Sequence, residues 1–165
     1  MSTIDGNRNI PVQLEAATEA DLEHILLLQK RAFSGQAVIY QDPNLPSLTQ
    51  TLGDLRKEFT GKAFYKVVRN GMIVASVRCS IRDRALSIEK LFVDPDLQNS
   101  GIGTAVMSAL ESRYAGSVDR YVLSTGHKSS RNLHLYGKLG YIETGRKRLN
   151  ENCDLLVMEK STRTA

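Results

Sequence analysis

Residues 84–124 read as a strand, a helix and a second strand, hinged on Gln98-Asn99-Ser100-Gly101-Ile102-Gly103. Arg84 to Val93 is strand-forming. Ser100 to Arg113 sets Ile102, Val106, Met107 and Leu110 on one helical face, and Arg120 to Ser124 is a short apolar run. A strand, crossover helix and strand in one sheet connect right-handedly, which makes the two strands parallel. Upstream, Asn70-Gly71 separates Ala63–Arg69 from Met72–Ile81. Asn-Gly supplies the two positive-φ residues of a type I′ turn, so these strands pair antiparallel. Asp83 then turns the chain into strand 84–93, completing a three-strand meander. The sheet must therefore be mixed, with helices packed on it.

The remaining elements follow from periodicity. Val12 to Ala17 alternates, with Val12, Leu14 and Ala16 on one side, and reads as a first strand. Thr18 offers an N-cap oxygen with Asp21 three residues on, and Leu22, Ile25, Leu26, Gln29, Ala32 and Phe33 recur at helical spacing over residues 19–33. Gly35 is expected to end that helix. Residues 35–47, with Pro43 and Pro46, read as a loop, and Leu48, Leu52, Leu55 and Phe59 mark one helix over 48–60. Ser130 to Leu139 is a helix closed by Gly140 at C′. Residues 141–148 and 153–159 are strands around Asn150-Glu151-Asn152. The order is β-α-α-β-β-β-α-β-α-β-β. It predicts an α/β (α+β) fold with a mixed sheet of about seven strands and helices on both faces. No repeat or composition break divides the 165 residues, so they form a single domain with a core over about 12–160 and polar tails at Met1–Asn9 and Ser161–Ala165.

Composition excludes several classes. The densest apolar run, Ile25-Leu26-Leu27-Leu28, is far short of the roughly 18 residues a membrane span requires. The first nine residues lack the apolar core of a secretory signal. A cytoplasmic protein without a membrane partner is expected. Cys79 and Cys153 stand far apart outside any Cys-x-x-Cys pair, and only His24, His127 and His134 could assist them. Both cysteines read as small buried hydrophobes, and no metal site is expected. The formal charge is 22 − 18 = +4. That suits an anionic ligand such as a nucleotide but lacks the clustering of a nucleic-acid footprint. Arg146-Lys147-Arg148 is the one basic triplet and reads as a solvated hairpin.

The hinge itself carries chemistry. Gly101 and Gly103 remove Cβ atoms where an anion must approach backbone N–H groups. The first turn of a helix leaves about four N–H groups unpaired and carries positive partial charge. A diphosphate can take those donors, with the Gln98 side-chain amide beside them. A Walker loop is excluded because no Gly-Lys-Ser/Thr follows. The dinucleotide fingerprint is excluded because its third glycine is missing and no acidic residue ends a following strand. Close helix–strand packing is the other explanation of a lone Gly-x-Gly.

Leu91-Phe92-Val93-Asp94-Pro95-Asp96-Leu97-Gln98-Asn99-Ser100-Gly101-Ile102-Gly103-Thr104-Ala105 resembles the signature of the GNAT family of N-acetyltransferases. That signature is Gln/Arg-x-x-Gly-x-Gly/Ala after an apolar strand and a Val-x-Pro step, and Gln98, Gly101, Gly103, Val93 and Pro95 meet it. Asn132-Leu133-His134-Leu135-Tyr136-Gly137-Lys138-Leu139-Gly140-Tyr141 resembles the family's Asn-x-x-x-Tyr-x-x-x-Gly-Phe/Tyr helix and strand. The element order agrees over residues 12–160.

The resemblance implies acetyl transfer from acetyl-CoA to a primary amine of a small molecule or peptide, by direct attack in a ternary complex. It implies a V-shaped cleft where strand 84–93 splays from the next parallel strand, with the pantetheine arm on the backbone of Leu91, Phe92 and Val93. A β-bulge there would aim an N–H at the acetyl carbonyl. It places the pyrophosphate on N–H groups of Gln98, Asn99, Ser100, Gly101, Ile102, Gly103 and Thr104. Asn132 would contact the pantetheine or a phosphate, and Lys138 would reach the 3′-phosphate or be a plain surface lysine. Tyr136 matches the family's general acid for the departing thiolate. Where some members carry a glutamate base, this chain has Ser87. Glu89, two residues on and on the same strand face, is the candidate base, directly or through a water. A solvent-facing Glu89 beside Lys90 and proton loss to a water chain are the alternatives. The acceptor pocket would be built over residues 33–48, with Phe33 and Tyr40 on its wall; its few acids, chiefly Asp42, do not suit a polycation. A non-catalytic CoA-binding regulatory domain and a basic nucleic-acid-binding module are the alternative functions. Homodimer formation stays open.

Overall fold

The computed structural model describes residues 11–163. Most of the expected tails lies outside them, but Ser161 closes the last strand, and the Thr162 N–H donates to the Asp119 carbonyl at 3.0 Å. The described C-terminal residues are thus tied down, not frayed. The strands are β1 (Glu15–Ala16), β2 (Ala63–Arg69), β3 (Met72–Arg82), β4 (Ala85–Val93), β5 (Arg120–Gly126), β6 (Ile142–Asn150) and β7 (Cys153–Ser161). The helices are α1 (Leu22–Ile39), α2 (Pro46–Thr49), α3 (Leu52–Phe59), α4 (Ile102–Tyr114) and α5 (Ser130–Lys138). One seven-stranded sheet runs β1-β2-β3-β4-β5-β7-β6. Only β4 and β5 pair in parallel; every other pair is antiparallel. The mixed sheet and the βαβ crossover are as the pattern predicts.

Both faces are covered. Ile102, Val106, Met107 and Leu110 of α4 and Tyr136 of α5 pack with Leu86, Ile88 and Tyr121 on one face. Leu22, Ile25, Leu26 and Leu28 of α1 and Leu55 of α3 pack with Phe64 and Phe92 on the other. The Asn70-Gly71 turn has φ of 52° and 77°, as a type I′ hairpin demands. Gly140, at φ 97°, ends α5 as its C′ glycine.

Several boundaries differ from expectation, and five of the differences have a local reason. The strand expected over 12–17 shrinks to Glu15–Ala16, because the Leu14 carbonyl accepts from Arg113 Nη2 at 3.1 Å instead of joining a ladder. Helix α1 opens with a 3₁₀ turn at Glu19–Asp21 and runs past Gly35 to Ile39, so residues 35–39 are helix, not loop. Its far end is anchored across the molecule by Tyr40, whose hydroxyl lies 2.8 Å from Ser129 Oγ. The helix expected over 48–60 is two. Thr51 is extended, and its Oγ1 accepts from the Asp54 N–H at 3.1 Å while the Asp54 carboxylate accepts from the Thr51 N–H at 3.1 Å. This capping box restarts the helix. Helix α4 begins at Ile102, not Ser100, because Asn99 and Gly101 have φ of 64° and 86°. Finally, β5 extends to Gly126 by pairing with Leu155 of β7.

Candidate active site

The parallel ladder between β4 and β5 holds only from Ala85↔Arg120 to Ile88↔Leu123. Beyond that point β4 stays with β3, up to Val93↔Ala75, and β5 stays with β7, up to Gly126↔Leu155. The two central strands therefore separate and open a cleft in the sheet.

A bulge lies in β4 just past the point where it leaves β5. Arg78 pairs with Glu89 and Ser76 with Phe92, so β4 holds one more residue than β3 between them. Lys90 takes up the extra length at φ 50°. The bulge also inverts the strand. Leu86 and Ile88 face the α4 side, whereas Phe92 joins the α1 side, and Leu91 and Val93 now pack toward α4. Strict alternation would have put Phe92 with Leu86 and Ile88.

A cavity of about 700 Å³ occupies one arm of the cleft. Of the residues the sequence singled out, Leu91, Phe92, Val93, Gln98, Asn99, Gly101, Ile102, Gly103, Thr104, Asn132 and Lys138 line it. Ser100 does not; its hydroxyl turns back to the Leu97 carbonyl. Among the described residues, no acceptor takes the N–H groups of Gln98 to Thr104, and the first helical bond of α4 is from Ala105 to Gly101 at 3.1 Å. This row of free donors at a helix start fits a diphosphate. Gly103 lies close to Leu135 and Val93: a Cβ there would sit 3.6 Å from Leu135 Cδ2 and 3.9 Å from Val93 Cγ2. Lys128, Arg131 and His134, which the sequence reading missed, line the same cavity, and Arg131 holds the Gln98 side-chain oxygen. Their separation from Gln98 along the chain left no local signal.

A second cavity, of about 460 Å³, occupies the other arm. Phe33, Leu91, Ser129 and Asn132 line both, so the two are continuous walls of one cleft. Phe33 and Tyr40 stand on its wall. Tyr136 lines this cavity, not the first, and is only 6% exposed. Its ring meets Tyr141 edge-on at 5.9 Å, and burial pushes its hydroxyl pKa up to about 12. It is a proton donor throughout the neutral range. Asn132 Nδ2 reaches Thr125 Oγ1 at 3.4 Å.

Glu89 also lines the second cavity, but it is not a free carboxylate. Lys62 Nζ grips Glu89 Oε2 and lies 3.2 Å from Glu58 Oε1. Glu58 stands 3.5 Å from the fully buried Arg78 guanidinium, whose Nη2 donates to Gln29 Oε1 at 2.5 Å. Burial raises the Glu58 pKa, but Arg78, Gln50 and Lys62 outweigh it and hold the carboxyl below its usual value. Arg146, Lys147 and Arg148 are all exposed on β6, as a solvated hairpin requires, and Lys147 stands at the cavity wall.

Cys79 and Cys153 are free and buried. Among the described residues, no cluster of three or more His, Cys, Asp or Glu could hold a metal ion, and no helix is long and apolar enough to cross a membrane.

This architecture has close counterparts in solved structures. The ribosomal-protein-S18-alanine N-acetyltransferase from Escherichia coli superposes with a TM-score of 0.74 at 17% identity, covering 93% of this chain and 96% of that one. Spermidine N-acetyltransferase from Vibrio cholerae, in complex with CoA and spermine, gives 0.70 at 15% identity over 92% and 95%. The PaiA N-acetyltransferase from Thermoplasma acidophilum, in complex with coenzyme A, gives 0.67 at 13% over 92% and 99%. Comparison with curated proteins gives no match. Residues 33–162, which contain the bulge, the donor row and the Asn132–Tyr141 segment, match the acetyltransferase (GNAT) domain, and the chain belongs to that family.

Proposed function

We propose that the protein is an acetyl-CoA-dependent N-acetyltransferase acting on a primary amine of a small molecule or peptide. The observation that carries this reading is the cleft itself. It joins a row of unpaired N–H groups at one end to a buried, protonated tyrosine at the other. Coenzyme A as the donor's carrier is supported by the fit of Gln98–Thr104 to a diphosphate, and by neighbours of the same fold whose structures contain it.

In this reading the acyl donor lies along the open edge of β4. The amine nitrogen bonds to the acyl carbon, the carbon–sulfur bond breaks, and its electron pair leaves on the thiolate. The bulged backbone at Lys90–Leu91, out of register with β3 and past the end of the β5 pairing, supplies an N–H to the charge that develops on the acyl oxygen. Tyr136 gives its proton to the thiolate. The proton of the amine departs to water, with Glu89 as the carboxylate on the cavity wall. Asn132 spans both cavities and aligns the arm between them.

The test is release of free thiol from acetyl-CoA, followed with a chromogenic disulfide against amines, peptides and aminoglycosides. Amine-dependent release is expected. If no acceptor releases thiol and acetyl-CoA leaves the melting temperature unmoved, the reading is wrong.

A further inference from the structure

The second cavity carries an unbalanced charge. Its charged wall residues are Glu89, Lys90 and Lys147. Glu89 is already answered by Lys62, and Glu58 by Lys62 and Arg78. Two carboxylates thus face two cations, and Lys90 is left over. It is half-buried on the β4 bulge and forms no ion pair with any described residue; its Nζ donates to Ser47 Oγ at 2.6 Å and lies 5.7 Å from the Phe33 ring centroid. A serine hydroxyl takes one of its three protons and none of its charge. Burial first, and repulsion from Arg78 second, push the Lys90 pKa down, against the pull of Glu58 and Glu89.

Lys147, exposed on β6, stands at the wall of the same cavity. It too forms no ion pair with a described residue, although its neighbours Arg146 and Arg148 both take Asp154. The polar residues that line the rest of this cavity, Ser47, Ser87 and Ser124 among them, are neutral. Lys90 also holds φ 50°, a conformation disfavoured for a residue with a Cβ, and the bulge thereby sets it on the cleft. A half-buried cation without a counter-ion is costly unless a ligand supplies one.

We infer that the acceptor brings that counter-ion: it is a small amine carrying an anionic group, foremost the carboxylate of an amino acid, held by Lys90 and Lys147. This rests on the acyl-transfer reading above. A polyamine fits poorly, since the sole carboxylate on the wall is occupied by Lys62.

Matched pairs test it, with thiol release from acetyl-CoA as the readout. Phenylalanine against phenethylamine and lysine against cadaverine isolate the carboxylate; phosphoethanolamine against ethanolamine isolates a phosphate; spermidine represents the polycation. The anionic member of at least one pair should exceed its partner by about tenfold or more in kcat/KM, the worth of one charged hydrogen bond. Whichever pair shows the preference identifies the anion. Lys90→Gln and Lys147→Gln should each shrink that ratio, chiefly by raising KM for the anionic member, and Lys90→Glu should turn it toward cadaverine. Two variants on different strands guard against one failing to fold, which circular dichroism would show. Preference for spermidine or the decarboxylated partners, or a ratio equal in wild type and both glutamine variants, overturns the inference while leaving acyl transfer standing. Absence of thiol release with every amine overturns both.

Discussion

Tyr136 is a residue whose environment decides its chemistry. A tyrosine with its hydroxyl pKa near 12 remains protonated at any ordinary assay pH, so it can donate but cannot act as a base. Tyr136→Phe should lower kcat by about a hundredfold, the low end for general acid catalysis, while the acetyl-CoA-induced rise in melting temperature persists. Equal loss of turnover and affinity would reduce Tyr136 to a packing role. In the wild type, loss of the Tyr136 proton should produce no alkaline decline below about pH 11. The two glycines of the donor row make separate demands. Gly101 sits at φ 86°, where any other residue pays roughly 1–2 kcal/mol, so Gly101→Val should lower the urea midpoint accordingly. Gly103 has ordinary φ and ordinary contact distances, so Gly103→Ala should keep acetyl-CoA affinity. Gly103→Leu should abolish it without unfolding the chain, as thermal shift and circular dichroism together would show. The positive φ at Gly101 and the place of both glycines at a helix start were legible from residue type and spacing, whereas the role given to Tyr136 came only from the family resemblance. The Ser100 hydroxyl is taken up by the Leu97 carbonyl, which leaves its backbone N–H in the donor row.

At the scale of elements, β3, β4, α1 and α3 share a buried charge system that no sequence pattern announces. Glu58 and Arg78 are twenty residues apart and meet only because α3 packs on the sheet. Glu58→Gln would leave the Arg78 guanidinium buried against an uncharged amide, and a destabilisation of about 3 kcal/mol or more is expected in urea unfolding. The pH dependence has a definite sign. Glu58 is held below its usual 4.5, so its contribution is complete above that pH and is lost as pH falls through the lower folded-state value. Acid unfolding of the wild type should thus start below about pH 4.5, and Glu58→Gln should flatten that limb. A second contact between elements explains the length of α1. A Cβ on Gly126 would lie 2.0 Å from the Tyr40 hydroxyl, so the end of α1 rests on a bare backbone of β5. Gly126→Ala should displace Tyr40 from Ser129 and cost about 1–3 kcal/mol, the usual penalty of overpacking. Gly35 looked like a helix stop because glycine is a poor helix former. The stop failed because Tyr40, and Gln36 accepting from Ser129 Oγ at 3.2 Å, tie the next turn down.

For the whole molecule, cofactor binding and folding are one linked equilibrium. The proposed donor bridges β4, α4 and α5, and at a hundred times its Kd it should add about 2.7 kcal/mol of stability, measured as a raised urea midpoint. Alternating strands, the Asn70-Gly71 turn and the Ser100–Arg113 stripe are local signals, and they were enough to predict a mixed sheet with α4 on one face, because period and turn chemistry are properties of neighbours in sequence. The Gln98–Gly103 hinge likewise declared a run of unpaired N–H groups, since its donors belong to consecutive residues. The sequence by itself therefore determined the fold class, the crossover and the row of free donors at one end of the cleft. Tertiary structure alone decided the other end. Where β4 parts from β5, how the bulge turns Lys90 onto the cleft, and which of Glu58, Lys62, Arg78 and Glu89 cancel one another are all set by contacts between distant residues. Charge balance in a cavity is a sum over every wall, and no single segment of the chain contains it.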